Sequence, residues 1–457
     1  MKRALLLFAI ASTACATIEP QKGHDDVAAR VKERTGFDTG WNQGTPDDAQ
    51  VLARVNALLG AGLTRDRAVQ IALVNNRELQ ATYEELGVSQ AEMVQAGLLS
   101  NPRISAALGF PINGGSLAEV ESSLVMDFMS IFLLPLRRSV AAEQFAASVA
   151  RVANEALTVA AQAAEHTAEV QAAQKQVELH RIVADAARAR AFLAERQHQA
   201  GNITDLQFAQ ERAEFAQARI ELAAAEQKLA LEREELNELL GLFGEQTAWK
   251  LGEELPEPLA NEPDLNGLEA RAVRQRMDLA AFRRSTALAR RMVAVAQASR
   301  VTGIFEVGVD IHQDPDGPLV AGPNISLELP LFDQRTAYIA GLEAQLRQAE
   351  RRLAAAGVRV RAEVRRAKAR YVIARDMVEA YRKSLMPLRE RVLAETQLQY
   401  NGMQVGLVQL AEAKRDQTQA FGGYIDALAE YWASRAELER AIGGPLDRPI
   451  AAAAEAK

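Results

Sequence analysis

Cysteine is almost missing from this chain: 457 residues hold one, Cys15. That excludes a disulfide framework, a thiolate zinc site and an iron–sulfur centre held by several cysteines. Aromatic residues are scarce as well, at 5% against 48% hydrophobic, so alanine and small aliphatics carry the apolar content, which favours close-packed helices. The five histidines, His24, His166, His180, His198 and His312, lie far apart and show no metal-ligand spacing, so no metal is expected. A basic excess is lacking too. With a formal net charge of -7 the chain has no surface suited to tracking phosphates, and no nucleic-acid partner is expected. Gly114-Gly115 and Gly422-Gly423 lack the strand-to-helix setting of a phosphate loop, so neither a nucleotide cofactor nor an enzyme is indicated. No apolar run beyond the N-terminus approaches the ~20 residues of a membrane-spanning helix. A membrane crossing would have to be a β-barrel.

What is present begins at the N-terminus. Lys2 and Arg3 precede the apolar run Ala4 to Ala11 and the small residues Ser12-Thr13-Ala14, the order of a secretory signal over residues 1–14. Cys15 follows directly and resembles the acylated first residue of a mature bacterial lipoprotein, although Ser12 stands where such sites usually carry leucine. Residues 15–62 form the lipidated N-terminal segment, expected to be extended from Ala16 to about Gly44.

The remainder repeats itself with a period of about 200 residues. Ala68-Val69 to Glu78-Leu79 answers Ala272-Val273 to Asp278-Leu279, Leu134-Pro135-Leu136 answers Leu329-Pro330-Leu331, and Gly201 with Leu206 answers Gly402 with Leu407. The expected first repeat is 63–243 with a hairpin at about 103–136, and the second is 266–443 with a hairpin at about 302–331. Residues 244–265 link them, and 444–457 form a loose tail.

Each repeat is expected to run helix, β-hairpin, very long helix, tight break, shorter helix. The first helix starts at Thr64 and stops near Ser100-Asn101-Pro102; its counterpart runs from about Leu268 to Ser299. Phe305, Val307, Val309 and Ile311 alternate with polar neighbours, as do Val120, Leu124, Met126 and Phe128, giving strands with one apolar face. The segments Arg138 to Gln199 and Thr336 to Tyr400 contain no glycine or proline except Gly341, Gly357 and Pro387 in the second. Each predicts a helix about 90 Å long at 1.5 Å per residue. Coiled-coil seams are expected at Leu342, Leu346, Ala349, Leu353, Ala356 and Val360, and again at Leu206, Ala209, Ala213, Ala216, Ile220 and Ala223.

Two hairpins cannot close a barrel alone. Three chains would supply twelve strands. The motifs Leu63-Thr64-Arg65-Asp66-Arg67-Ala68, Asn75-Asn76-Arg77-Glu78-Leu79, Leu329-Pro330-Leu331-Phe332-Asp333 and Tyr400-Asn401-Gly402 resemble those of the TolC-type outer-membrane efflux proteins, in particular their lipoprotein branch. The resemblance covers about Thr64 to Gly443. It implies a mainly α fold with a small β part: a homotrimer whose twelve-stranded outer-membrane barrel continues as a periplasmic helical coiled-coil tube. It implies outer-membrane lipid, a periplasmic adaptor and an inner-membrane efflux pump of the resistance-nodulation-division class as partners, and passive conduction with no catalytic residue.

The periplasmic entrance then falls at the breaks after the long helices. Gly201, Asn202, Thr204 and Asp205 form one, and Gly402, Gln404, Gly406, Gln409 and Glu412 the other, with Gln210 a further polar candidate. Pro135 and Pro330 mark the barrel-to-helix transition. Places where the best-known relative carries a cation-selecting acidic ring hold Val408, Ala411 and Gln207, which argues against such a ring. The alternatives are a lipid-anchored periplasmic scaffold or adaptor without a pore, or the duct of a protein secretion system.

Overall fold

The computed structural model describes residues 19–46, 48–110, 119–261, 263–300, 305–313 and 317–447. Cys15, the turns at 111–115 and 314–316, and the tail beyond 447 lie outside them. Helix accounts for 74% of the described residues and strand for 9%. In chain order the elements are α1 Pro20–Thr35, α2 Asp48–Gly60, α3 Arg65–Asn75, α4 Arg77–Ala96, β1 Arg103–Gly109, β2 Glu119–Asp127, α5 Met129–Gln199 and α6 Asp205–Leu240. There follow α7 Leu268–Gln275, α8 Met277–Ala298, β3 Phe305–Gln313, β4 Leu319–Leu327, α9 Thr336–Ala380, α10 Met386–Asn401 and α11 Leu407–Ile442. They fall into two compact units.

The first unit draws on 1–27, 83–152 and 277–357. Its four strands form one antiparallel sheet in the order β1-β2-β3-β4. The register sorts the side chains by face. Ile104 stands opposite Leu124, Leu124 opposite Val309, and Val309 opposite Pro323. On the other face Ser105 stands opposite Ser123 and Ser123 opposite Asp310, and the two serine hydroxyls are 2.7 Å apart. The outer edges of β1 and β4 have no partner strand among the described residues. Where strands meet helices, the Phe128 ring packs edge-on against Phe132 and Phe305, at 5.6 and 5.9 Å between centroids. In the same unit α8 lies on the start of α9 through Val293, Ala296, Ile339 and Leu342, and Glu143 accepts from Arg284 at 3.2 Å and Arg291 at 3.0 Å.

Two boundaries differ from expectation. The first long helix starts at Met129 instead of Arg138, so Pro135 is its seventh residue and not part of the hairpin. Asp127 makes the early start possible: its carboxylate accepts from the Ser130 amide, and its carbonyl accepts from the Ser130 hydroxyl. Pro135 forgoes one main-chain bond in the second turn, while Arg137 reaches back to the Ser130 carbonyl at 2.8 Å. Pro330 does lie in the connection between β4 and α9.

The second unit draws on 28–82, 153–276 and 358–457. Each helix expected to run unbroken from Thr64 or Leu268 is instead interrupted near its start, at Asn76 and at Arg276. Both breaks bind the end of another helix. Asn75 donates to the carbonyls of Leu240 and Gly241, and Asn76 to that of Leu239, at 2.7–3.0 Å. The Asn76 side-chain oxygen meanwhile accepts from the Leu79 amide at 2.7 Å and starts α4. In the second copy Gln275 donates to the Ile442 carbonyl at 2.7 Å, and Arg276 to that of Ala441 at 3.1 Å. The orphan carbonyls at the C-termini of α6 and α11 are thus satisfied by side chains from a broken helix.

One seam lies where the sequence pattern puts it. Leu342, Ala356 and Val360 of α9 are buried. That on α6 does not: Leu206 and Ile220 are 68% and 63% exposed, and the face turned to α5 is Phe208, Glu211, Phe215, Ala218 and Leu222, with Ala218 packed on Ala184 and Ala187. These too are spaced three and four, so α6 carries two neighbouring seams, and the alanine-rich one is uncovered in the single chain.

Before Pro387 the second long helix widens into a π turn, Tyr381–Leu385, where the Met386 amide donates to the Tyr381 carbonyl five residues back. The proline has no N–H and its ring would collide with the carbonyl four residues earlier, so one extra residue is taken up there. Tyr381 then lies against Gly423 of α11, where a Cβ would come within 2.4 Å of its hydroxyl.

The N-terminal segment is not extended: it contains α1 and α2, with Val27, Val31 and Val55 fully buried. The linker is tied down too. Trp249 is buried and donates to Asn237 at 2.7 Å, under the Arg233 guanidinium at 3.8 Å from its ring. The start of the tail is pinned by Leu446, which is buried, and by the Arg435–Asp447 ion pair at 2.6 Å.

Candidate functional site

The helix turns proposed from sequence both lie in the second unit. In the first, α5 closes through the Gly201 amide on the His198 carbonyl at 2.9 Å and the Asn202 amide on the Gln197 carbonyl at 2.8 Å. That geometry needs a left-handed residue, and Gly201 supplies it with φ 76°. Thr204 then caps α6: its hydroxyl accepts from the Gln207 amide, and the Gln207 side chain accepts from the Thr204 amide. Asp205 is 98% exposed and meets His198 Nε2 at 2.6 Å, while the His198 ring stacks on Phe208 at 4.8 Å.

The second turn uses the same hydrogen bonds one residue out of step with the sequence pairing. The Gln404 amide donates to the Gln399 carbonyl at 2.9 Å, which places Met403 and not Gly402 opposite Gly201. Met403 has φ 59°, and Gly402 has an ordinary φ of -82°. Gly406 takes the place of Thr204, and its amide donates to the Gln409 side chain at 3.0 Å, the counterpart of Gln207. Gln404, Gly406, Gln409 and Glu412 are exposed, as are Gly201, Asn202, Thr204 and Gln210.

Charged contacts tie these hairpins together at positions that sequence spacing did not single out. Arg389 donates to Asp416 at 2.6 Å, joining α10 to α11, and Arg415 donates to Glu214 at 2.7 Å, joining α11 to α6. Arg190 approaches Glu211 at 3.8 Å between α5 and α6. All are surface pairs, each worth about 0–1 kcal/mol and weakened by salt. Such links hold two hairpins in register and still release at small cost.

Two groups of histidine and carboxylate side chains also come together: Glu119, Glu121 and His312 on the polar face of the sheet, and His166, Glu232 and Glu235 between α5 and α6. In each group the histidine is dozens of residues from the carboxylates in the chain. The only local signal in the second group is the pair of i, i+3 spacings, His166 to Glu169 and Glu232 to Glu235.

No described helix is long and apolar enough to cross a membrane. The sheet exposes apolar side chains: Ile104, Leu108, Leu319, Ile325 and Leu327 are each more than half exposed.

Residues 68–242 match the family described as outer membrane efflux protein. Among solved structures the chain is similar to a membrane protein from Pseudomonas aeruginosa, with TM-score 0.72 and 17% identity over 86% of this chain and 94% of that one. It is similar to the CmeC outer membrane channel of Campylobacter jejuni, with TM-score 0.72 and 14% identity over 84% and 86%. The outer membrane protein VceC of Vibrio cholerae gives TM-score 0.67 and 17% identity over 86% and 97%. No curated protein sequence matches. The match over residues 68–242 makes that part of the chain similar to the outer membrane efflux proteins, and the chain shares the fold of these solved membrane proteins and channels.

Proposed function

We propose that this chain is the outer-membrane exit duct of a tripartite efflux system, a homotrimer that passively conducts substrates delivered by an inner-membrane pump through a periplasmic adaptor. The observation that carries the reading is the sheet. It has four strands, one apolar face, one polar face and two open edges. Open edges are not tolerated in hydrocarbon, and three copies edge to edge remove them, with apolar side chains toward lipid and Ser123, Asp310 and Glu121 toward the lumen. The uncovered alanine seam of α6 offers a surface of the right kind for the next copy. A signal over 1–14 and acylation at Cys15 would place the first residue at the membrane surface. The two turns, Gly201 to Asp205 and Gly402 to Glu412, would form the periplasmic entrance, closed in part by Arg389–Asp416 and Arg415–Glu214. The chain is not an enzyme on this reading.

The test is a planar-bilayer recording of purified protein whose trimeric mass has been measured in detergent. Discrete conductance steps are expected, with R389A/R415A raising the open fraction. A chain that stays monomeric, or a trimer silent even in R389A/R415A, would sink the reading in favour of a lipid-anchored scaffold.

A further inference from the structure

The contact between α5 and α6 holds an arrangement that conduction does not use. His166 and Glu169 lie one turn apart on α5, and Glu232 and Glu235 one turn apart on α6. The Glu169 carboxylate is 2.9 Å from His166 Nδ1 and that of Glu235 is 3.8 Å from the same atom. One ligand atom each from His166, Glu232 and Glu235 lies within 4.8 Å of the others. His166 Nδ1 is sealed from solvent, with the Glu169 carboxylate beside it. Paired i, i+3 ligands on antiparallel helices are how helical bundles present imidazole and carboxylate to a divalent ion.

Charge points the same way. Glu165 joins the group from α5, so four carboxylates meet one imidazole, with Lys228 the nearby cation. Arg370 faces the group from α9, but it is spent on Glu430 at 2.5 Å and on Glu437 at 2.7 Å. Burial and the neighbouring carboxylates hold Glu165 and Glu232 above the usual carboxylate range. Glu169 beside the ring raises His166.

We propose that His166, Glu169, Glu232 and Glu235 form a binding site for a divalent transition-metal ion of the zinc class, clasping α5 to α6. Four ligands at about 2.1 Å from such an ion stand roughly 3.4 Å apart, which the glutamates reach by turning their side chains. Three oxygens and a nitrogen favour zinc over calcium or magnesium, which take oxygen alone. Binding displaces the histidine proton, so affinity falls about tenfold per unit as pH drops below the His166 titration. This inference does not rest on the duct reading.

The test is a Zn2+ titration of the chelator-stripped full-length protein by calorimetry, with thermal unfolding read in parallel. The expected result is a site that H166Q and E235Q each weaken at least tenfold, and that H180Q leaves intact; His180 has one carboxylate, Glu221, at 3.8 Å. H312Q separates the sheet group, and zinc binding lost there while unchanged in H166Q would overturn the proposal. Glu235 is 62% exposed, so its variant should fold. E232Q gives a sharper sign: it should raise the metal-free melting temperature by relieving repulsion and abolish the rise that zinc produces. An unchanged zinc-dependent rise in E232Q, E235Q and H166Q would refute the site.

Discussion

The two helix turns make the same reversal with different residues. Both close with an amide donating to the carbonyl five residues back, and both start the returning helix with a glutamine that reaches back to the cap. In the first, glycine takes the left-handed position and threonine caps; in the second, methionine takes the left-handed position and glycine caps. The first turn is therefore built from residues that favour it, and the second holds a side chain where L-residues are disfavoured by roughly 1–2 kcal/mol. The two turns share their hydrogen bonds and differ in local fit. The same holds at the helix ends, where Gly241 and Gly443 are both left-handed, but only at Gly241 would a Cβ fall 2.4 Å from a backbone oxygen, that of Asn75.

Breaking the helix-end pair gives the largest expected difference. Gly241→Ala should cost about 3 kcal/mol, combining left-handed strain with a clash against backbone. Gly443→Ala, whose Cβ would lie 3.1 Å from the Arg276 side chain and 3.2 Å from its Cα without the close backbone clash, should cost less, about 1–2 kcal/mol. Denaturant melts of the two variants compare them directly, and equal losses would contradict the difference in crowding.

At the turns, Gly201→Val should destabilise by about 2 kcal/mol because a β-branched residue is forced left-handed. Gly402→Val should cost far less, and Met403→Gly should stabilise by about 1 kcal/mol. Hydrogen exchange at the turn amides reports this locally even where the global melt does not move. A Gly402→Val loss as large as that of Gly201→Val would restore the pairing of Gly201 with Gly402.

The caps come next. Thr204→Ala should cost about 1 kcal/mol, whereas Gly406→Ser should gain a few tenths. The smallest effect is a pH dependence confined to the first repeat. Contact with Glu169 raises His166 and lowers Glu169. The histidine's share of stability is full below its ordinary value and lost as pH rises through the raised one. The share of Glu169 is present above the usual carboxylate range and lost as pH falls through the lowered one. Metal-free protein should therefore show a shallow stability maximum between the two titrations, flattened in H166Q, when melts are followed from pH 4 to 9.

Much of the architecture was legible because it is periodic. Alternation located the strands, and the lack of glycine and proline located the long helices. Four features were not legible, each for a physical reason. The breaks at Asn76 and Arg276 fall inside good helical pattern, and they exist because another helix end needs donors there. Periodicity on α6 could not choose between two adjacent seams, since both are apolar at three-four spacing and only one meets α5. Sequence pairing of the turns rested on the glycines, whereas the fold is registered by the hydrogen-bonded turn, which puts Met403 opposite Gly201. The His166 group escaped notice because its members are brought together by the α5–α6 pairing.

The open edges of β1 and β4 bear on how the molecule is made. On the proposed trimer reading, the sheet gains its final stability only on meeting other copies, so its formation has a reaction order above one. Dilution should stall assembly at a species with its helices formed and its sheet unfinished. Such a species exposes a hydrophobic ribbon flanked by free amides, the form most prone to pair with the wrong strand. On that reading the cell faces a timing problem: chains must reach the same patch of membrane before their edges find something else.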